Sequence, residues 1–271
     1  MSERRDRKML VVIGAMKCGT SSLHHYLRSH PRISMSRLKE LNFFIEEKNW
    51  SRGFDWYRSR FDDDLPVWGE SSPNYSKHPL FSGVPERMHG ALPDATLVYV
   101  MRDPIDRIVS HYVHNVSNGR ETRSLEEALA EPEDNNYVTT SRYHYQLRRF
   151  LEHYDRSQLL LFELGELSRE PLEVVRRICE ALEVEPEVDT GALGRVYHRT
   201  SRKRRPNALA RKVERLPGGW AMRHVLPPLF TTPLEKPELD PALRARLAEI
   251  LKPDVDALRE LWGRALDEWS V

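Results

Sequence analysis

The chain has 271 residues, of which 39% are hydrophobic, enough to form one substantial core, so we expect a single domain over residues 1–271. Its 42 Lys and Arg against 41 Asp and Glu leave a formal charge of +1, which excludes a global field that would favour nucleic acid or an anionic membrane. The two cysteines, Cys18 and Cys179, are too few for the disulfide framework of a secreted protein or for a cysteine zinc site, and we expect no metal.

The N-terminal segment is charged, and it contains no apolar stretch of signal-peptide length. Nowhere do about 18 apolar residues follow one another, as a membrane-spanning helix requires. These features predict a cytoplasmic protein without a membrane partner.

Three apolar runs, each followed by a helical pattern, predict buried parallel strands. "MLVVIG" precedes a helix over Thr20–Ser29, "ATLVYVMR" a helix over Pro104–Asn118, and "QLLLFEL" a helix over Pro171–Leu182. The short "VWGE" is a further candidate strand, and the last third is predicted to be helical apart from the basic loop "YHRTSRKRRPN". This alternation predicts an α/β fold with a P-loop-like parallel central sheet, helices on both faces, and ligands at the carboxyl ends of the strands.

The first strand runs into "GAMKCGTSS", which is close to a Walker A phosphate loop. Gly14 and Gly19 keep the spacing of that motif, but Thr20 occupies the position of its lysine and the basic residue is Lys17. Gly19 tolerates positive φ, and the amides from Gly19 to Ser22 begin a predicted helix, so a phosphate should bind there. The machinery for a triphosphate is weakened, because "VYVMRD" is more typical of an anion-binding strand end than of a Walker B segment.

Several motifs in the same order resemble a known family. They are "GAMKCGTSSLHHYLRSHPRI", "KELNFF", "MRDPIDRIVSHY", "LLLFELGELSREPLEVVRRICEALEV" and "LRELWGRALDEW". Together they resemble the sulfotransferases that use 3′-phosphoadenosine 5′-phosphosulfate (PAPS), especially the branch of heparan sulfate N- and O-sulfotransferases and their bacterial relatives. The resemblance implies one sulfotransferase domain that transfers the sulfuryl group of PAPS directly to an acceptor and releases 3′-phosphoadenosine 5′-phosphate (PAP).

The resemblance also assigns residues to the nucleotide. Lys17 takes the position that contacts the sulfuryl group and the oxygen bridging sulfur to phosphorus, where a cation stabilises the leaving phosphate. Arg102 and Ser110 match the residues that hold the 3′-phosphate, although a structural ion pair of Arg102 with Asp103 is the alternative. The residues expected to bind the nucleotide are Lys17, Cys18, Gly19, Thr20, Ser21, Ser22, Arg102, Ser110, Ser201, Lys203 and Arg204. The last three lie in the basic loop, for which a cap over the nucleotide, a solvated surface and a nucleic-acid patch are all open.

The same resemblance supplies a base. "KELNFF" resembles the segment whose glutamate is the proposed base, which makes Glu40 the catalytic residue beside Lys17, and Lys39 a candidate to orient the acceptor or to contact the sulfuryl group. An ordinary exposed Lys–Glu pair in a loop is the alternative. Tyr75 and Tyr143 are candidates for the acceptor wall, although aromatic residues are equally ordinary in a core. In "GESSPNY" the heparan-type enzymes commonly carry a lysine directly after the glutamate, and this chain has Ser71.

The sequence therefore predicts a sulfotransferase that acts on a hydroxyl, less favourably an amine, of a small-molecule or carbohydrate acceptor, with no nucleic acid as a partner. One alternative is a P-loop kinase that uses ATP and magnesium, against which the missing Walker lysine argues. The other is a non-catalytic nucleotide- or RNA-binding protein built around the basic loop, for which binding would depend steeply on salt.

Overall fold

A five-stranded parallel sheet forms the centre of the structure, a computed structural model that describes residues 7–187, 204–206 and 231–271. The strands are β1 (Lys8–Gly14), β2 (Ile33–Met35), β3 (Val67–Ser71), β4 (Thr96–Met101) and β5 (Leu159–Glu163), in the spatial order β2-β3-β1-β4-β5. The predicted strands are confirmed, including the short "VWGE". The sequence analysis missed β2, because three residues are too short for a periodic signal.

Helices surround this sheet, as predicted for an α/β fold. They are α1 (Thr20–Arg28), α2 (Phe54–Arg58), α3 (Val84–Ala91), α4 (Pro104–Ser117), α5 (Leu125–Ala128), α6 (Asn136–Thr139), α7 (Tyr143–Leu151), α8 (Leu164–Arg169), α9 (Pro171–Ala181) and α10 (Pro241–Trp262). Short 3-10 turns lie at Trp50–Arg52 and Arg156–Gln158, and β6 (Arg204–Pro206) pairs antiparallel with β7 (Thr231–Pro233). None of the helices in the described ranges combines the length and apolar composition needed to cross a membrane.

The apolar residues of the sheet fill the main core. Leu10, Val11, Val12 and Ile13 of the central strand β1 have no exposed surface, because β1 has a paired strand on each side and helices cover the sheet. A second apolar cluster includes Ile108 of α4 together with residues of α10. The C-terminal helix is therefore part of the packed structure.

The hydrogen-bond pattern of the sheet continues past the carboxyl ends of its strands. Four backbone bonds follow the last paired residues: Ala15 N to Val100 O at 2.8 Å, Ser36 N to Gly69 O at 2.7 Å, Glu40 N to Ser71 O at 2.9 Å, and Ser72 N to Val12 O at 3.0 Å. Each bond fixes the first residues of a connecting segment to a neighbouring strand. The segments after β1, β2 and β3 are thus held at one edge of the sheet.

Helix α7 receives its N-terminal cap from α10. Its own N-cap residue, Arg142, makes no side-chain cap, whereas the Asp254 carboxylate accepts the backbone N–H of His144 at 3.0 Å and of Tyr145 at 2.8 Å. Two of the amides that a helix leaves unpaired at its start are satisfied in this way. Asp254 thereby joins the C-terminal helix to a helix that packs on the sheet.

Replacing this cap should destabilise the fold. We expect Asp254→Ala to lower the free energy of unfolding by about 1–2 kcal/mol, because two amides at the start of α7 lose their acceptor. The control is Asp256→Ala, whose carboxylate makes exposed ion pairs with Lys252 and Arg259 and should change stability by less than about 1 kcal/mol. Chemical denaturation of both variants measures the difference, and equal losses would contradict the assignment.

Candidate active site

The loop between β1 and α1 is closely packed and has an unusual backbone. A Cβ atom on Gly14 would lie 2.3 Å from Ser76 Oγ and 2.3 Å from Tyr99 Cε2, so this position requires glycine. Gly19 has a φ of +86° and packs against α8, where a Cβ would lie 2.7 Å from Leu164 Cδ1. Lys17 adopts a φ of +75°, which is uncommon for a residue with a side chain and is typical of functional turns.

This loop ends at a helix N-terminus suited to an anion. Gly19 caps α1 without a side chain, and the first turn contains no acidic residue. Thr20 and Ser22 are buried, with 4% and 6% of their surface exposed, and Ser21 is partly exposed between them. The backbone amides, the helix dipole and the neighbouring hydroxyls are of the kinds that stabilise a phosphate.

Cys18 and Tyr143 lie behind the loop, which corrects two expectations. The Cys18 thiol is fully buried 3.7 Å from the Tyr143 hydroxyl, and the Cys18 amide already donates to Ala15 O at 3.1 Å. Burial raises the pKa of the Cys18 thiol, so it stays protonated. Tyr143 is also fully buried, and its hydroxyl donates to Arg102 O at 2.9 Å. The pair supports the loop from beneath, with no side-chain surface for a nucleotide or an acceptor.

A buried arginine that sequence reasoning missed holds the loop from α4. Arg107 is 1% exposed, and its guanidinium donates to Met16 O at 3.1 Å, Thr140 Oγ1 at 2.7 Å, Ser141 Oγ at 3.0 Å and Tyr137 O at 3.3 Å. All four acceptors belong to the packed structure. The Nε and Nη1 donors of the buried guanidinium are therefore hydrogen-bonded. Arg107 lies five residues after the strand-end arginine in "MRDPIDR", and this position was the only sequence feature that could have pointed to it.

The end of β4 presents Arg102 beside the start of α4. Arg102 donates to Asp106 at 3.1 Å, while Asp103 caps α4 by accepting Asp106 N at 2.8 Å. The ion pair of Arg102 is therefore formed with Asp106 rather than with Asp103. Burial opposes the effect, but Lys236 and Arg102 together lower the pKa of Asp106. Ser110 is buried in α4, with 3% of its surface exposed.

Most of the basic loop lies outside the described residues. Ser201 and Lys203 lie outside the described residues. Arg204 is described only by its backbone, which pairs with that of Pro233 in the β6-β7 ribbon. Their assignment to the nucleotide stays a prediction.

Glu40 stands at the sheet edge on a strained backbone. It has a φ of +67°. The hydrogen bond from its backbone N–H to Ser71 O holds it beside β3. Its side chain is 44% exposed, and Oε1 accepts a hydrogen bond from Lys39 Nζ at 3.0 Å. The Glu40 carboxylate is therefore accessible from solvent, while its backbone is fixed to the sheet.

A buried carboxyl group, Glu70, fixes the segment that follows Glu40. Glu70 is fully buried and accepts hydrogen bonds from the hydroxyls of Tyr57 at 3.0 Å, Tyr75 at 2.9 Å and Ser72 at 2.8 Å. The Ser72 and Tyr75 hydroxyls accept the backbone N–H groups of Asn42 and Phe43, at 3.0 and 2.9 Å respectively. Tyr75 is thus a buried link between Glu70 and the Glu40 segment, which corrects its assignment to the acceptor wall.

Several cations lie within electrostatic range of one another near Glu40. Lys77 is buried, with 7% of its surface exposed, and lies within electrostatic range of Glu40, Arg107, Lys48 and Arg120. The sequence analysis did not identify Lys77, because a single lysine in a loop carries no periodic or motif signal. Between them, the loop, the cations and Glu40 can hold an anionic donor and take a proton from a group that arrives beside it.

Comparisons with known proteins point to one activity. A sequence model described as the sulfotransferase domain matches residues 7–220. The chain is 26% identical over 273 residues to heparan sulfate glucosamine 3-O-sulfotransferase 5 of Mus musculus, covering 95% of this chain and 72% of that protein. It is 27% identical over 209 residues to the bifunctional heparan sulfate N-deacetylase/N-sulfotransferase of Drosophila melanogaster, covering 66% of this chain but 20% of that protein. A sulfotransferase from Alicyclobacillus acidocaldarius superimposes with a TM-score of 0.71 at 29% identity, covering 98% of this chain and 99% of that one.

The buried Glu70 carboxyl should make stability depend on pH. Burial outweighs its three hydrogen bonds and raises its pKa from 4.5 to about 7, so between these values the folded protein holds a proton that the unfolded chain releases. The stability contributed by this proton is complete below pH 4.5 and is lost as the pH rises through 7, by on the order of 3 kcal/mol.

We expect Glu70→Gln to remove this dependence, so that unfolding free energies at about pH 5 and about pH 8 converge relative to wild type. Glu46→Gln, a change at an exposed carboxylate in the same region, should leave the wild-type dependence in place. Urea denaturation at both pH values makes the measurement. An unchanged pH dependence in Glu70→Gln would show that Glu70 is ionised throughout this range.

Proposed function

The chain belongs to the sulfotransferase domain family and catalyses sulfuryl transfer, and from this premise we propose that its donor is PAPS and its acceptor group a hydroxyl of a small molecule or carbohydrate. Family membership does not favour the P-loop kinase or the non-catalytic binding protein. We propose one sulfotransferase domain over residues 1–271, acting without a metal or nucleic acid. The free thiols of Cys18 and Cys179 support a cytoplasmic location.

The phosphate loop carries the proposal. The start of α1 offers backbone amides and the hydroxyls of Thr20–Ser22 to a 5′-phosphate, with a glycine cap that leaves no carboxylate to compete. Lys17 is held in a left-handed turn of the same loop. This set of donors fits the phosphosulfate of PAPS, and Arg102 at the end of β4 fits its 3′-phosphate.

PAPS, when bound, supplies an activated sulfuryl group joined through oxygen to its 5′-phosphate. In the transfer, the acceptor oxygen forms a bond to sulfur while the bond from sulfur to the bridging oxygen breaks, and its electron pair stays on the phosphate of PAP. The acceptor proton goes to the Glu40 carboxylate. Lys17 neutralises the charge that develops on the leaving oxygen, and Lys39 holds the Glu40 carboxylate in place.

The proposed acceptor follows from the relatives and from Glu40. One relative is named for transfer to the 3-O position of a glucosamine, which is a hydroxyl on a carbohydrate. An open carboxylate is suited to such a hydroxyl, because the oxygen becomes nucleophilic as its proton leaves. An amine acceptor is the second possibility, since another relative is named as an N-sulfotransferase.

The nucleotide assignment is tested by comparing PAP with ADP. PAP should stabilise wild-type protein by about 2.7 kcal/mol at 100 times its dissociation constant, and ADP far less at the same concentration, because ADP lacks the 3′-phosphate. Arg102→Ala should weaken PAP binding and bring the two ligands closer together. The control is Arg32→Ala, at the amino end of β2 and therefore at the opposite edge of the sheet. Thermal shift and calorimetry measure both effects, and equal shifts with PAP and ADP in wild type would refute the donor.

The base is tested by Glu40→Gln. Turnover should fall about 10²-fold or more while PAP affinity stays near wild type, because glutamine keeps the shape but removes the basicity. Lys17→Ala should likewise reduce turnover more than it reduces PAP affinity. Lys39→Met should reduce turnover less than Glu40→Gln does, and Glu46→Gln is the neutral control. The assay follows PAP release after a screen of phenols, sugars and amines. Wild-type turnover in Glu40→Gln would remove Glu40 from the mechanism.

A further inference from the structure

Lys77 is a buried lysine without a fixed partner. It has 7% of its surface exposed, yet among the described residues its Nζ makes neither a hydrogen bond nor an ion pair. The stem of Lys77 is buried and its ammonium keeps only slight contact with water, so an anion that replaces the lost hydration would stabilise it. A lysine with little exposed surface and no protein partner among the described residues is suited to bind an anionic group of a substrate.

The backbone fixes Lys77 beside the phosphate loop. The preceding residue, Ser76, donates from Oγ to Ile13 O at 2.9 Å, and this Oγ lies against Gly14, where the loop begins. On the other side, Phe81 N donates to Lys77 O at 3.1 Å. The side chain therefore leaves a segment that is anchored to the end of β1.

The charges that act on Lys77 belong to three segments of the chain. Arg107 of α4 has the largest effect, followed by Glu40 and Lys48 of the segment after β2, and by Arg120 after α4. Lys17 and Lys77 also both act on His111 of α4. Lys77 thus shares one electrostatic environment with the loop lysine and with the proposed base.

We propose that Lys77 binds the non-bridging oxygens of the sulfuryl group of PAPS, on the Glu40 side of the phosphate loop. The inference rests on the proposed function and adds to it a second cation for the transferring group, beside Lys17 on the leaving oxygen. Lys77 forms and breaks no covalent bond in the transfer. Three sulfuryl oxygens share the charge of the transferring group, and a charge-assisted hydrogen bond to them satisfies the otherwise unpaired ammonium.

Binding of the sulfuryl group should be coupled to proton uptake. Burial, with Arg107 as the next contribution, lowers the pKa of Lys77 from 10.5 to about 7, so near neutral pH a large fraction of the free enzyme holds a neutral amine. An anion at Nζ favours the ammonium form, and the proton comes from solvent. PAP, which lacks the sulfuryl group, should cause no such uptake at Lys77.

The test compares PAPS with PAP in the absence of an acceptor, using Lys77→Met and Lys77→Arg. Calorimetry in buffers of different ionisation enthalpy gives both affinity and proton uptake. We expect wild type to take up about half a proton per PAPS at pH 7, and Lys77→Met to lose that uptake and about tenfold in PAPS affinity, with PAP affinity unchanged. Lys77→Arg should keep most of the PAPS affinity. Lys252→Met, a change at an exposed lysine of α10, should keep the uptake.

The melting temperature distinguishes an anion-binding lysine from a structural one, because removing the two should shift it in opposite directions. Because the folded pKa lies below the unfolded one, Lys77 costs stability, most at and below about pH 7, and the cost disappears above about pH 10. Lys77→Met should therefore raise the melting temperature near pH 7 and not at high pH. A structural lysine would lower it when removed.

Several results would overturn the inference. Unchanged PAPS affinity and proton uptake in Lys77→Met would exclude contact with the sulfuryl group. Equal losses for PAP and PAPS, with a lower melting temperature, would make Lys77 structural. A raised KM for the acceptor with unchanged PAPS affinity would make it an acceptor ligand. If wild type binds PAP and PAPS, and the Lys77 variants have the same PAPS affinity and proton uptake as wild type, this inference alone fails. If wild type binds neither nucleotide, the proposed donor fails and this inference with it.

Discussion

The continuation of sheet hydrogen bonding beyond the strand ends is the constraint on which the site depends. The amides of Ala15, Glu40 and Ser72 each bond to a carbonyl of the neighbouring strand. Connecting segments that would otherwise vary in path are thereby held in register with a rigid sheet. The phosphate loop and the proposed base, which lie on different segments of the chain, share one edge of the sheet for this reason.

Two buried ionisable groups complete this support, one on each side. Arg107 binds the carbonyl of Met16 and ties the phosphate loop to α4 and to the residues after it. Glu70 binds the hydroxyls that hold the segment after Glu40. Each group loses hydration on folding and regains several hydrogen bonds, so neither can be removed without leaving its partners unpaired. The phosphate loop and the segment after the proposed base are therefore positioned by separate networks.

The local sequence determined much of this protein. The apolar runs that became β1, β3, β4 and β5, and the helices that follow three of them, were evident because burial on both faces and helical periodicity leave a pattern within a few residues. The displaced lysine of the loop distinguished it from a triphosphate site, and the order of motifs indicated the family. The strand β2 left no such pattern, because it has three residues and takes its place from pairing with β3.

Only the tertiary structure decided which side chains meet. Tyr143 lies behind the loop because it packs on Cys18, 125 residues away, and Tyr75 turns inward to Glu70, so neither aromatic residue has a free surface. The environment of Lys77 is likewise set by segments that are far apart in the chain. Composition and spacing report what a residue can do, whereas burial and partners depend on long-range packing. The sequence therefore determined the sheet, the phosphate loop and the class of reaction, and the fold decided which charges are buried around them.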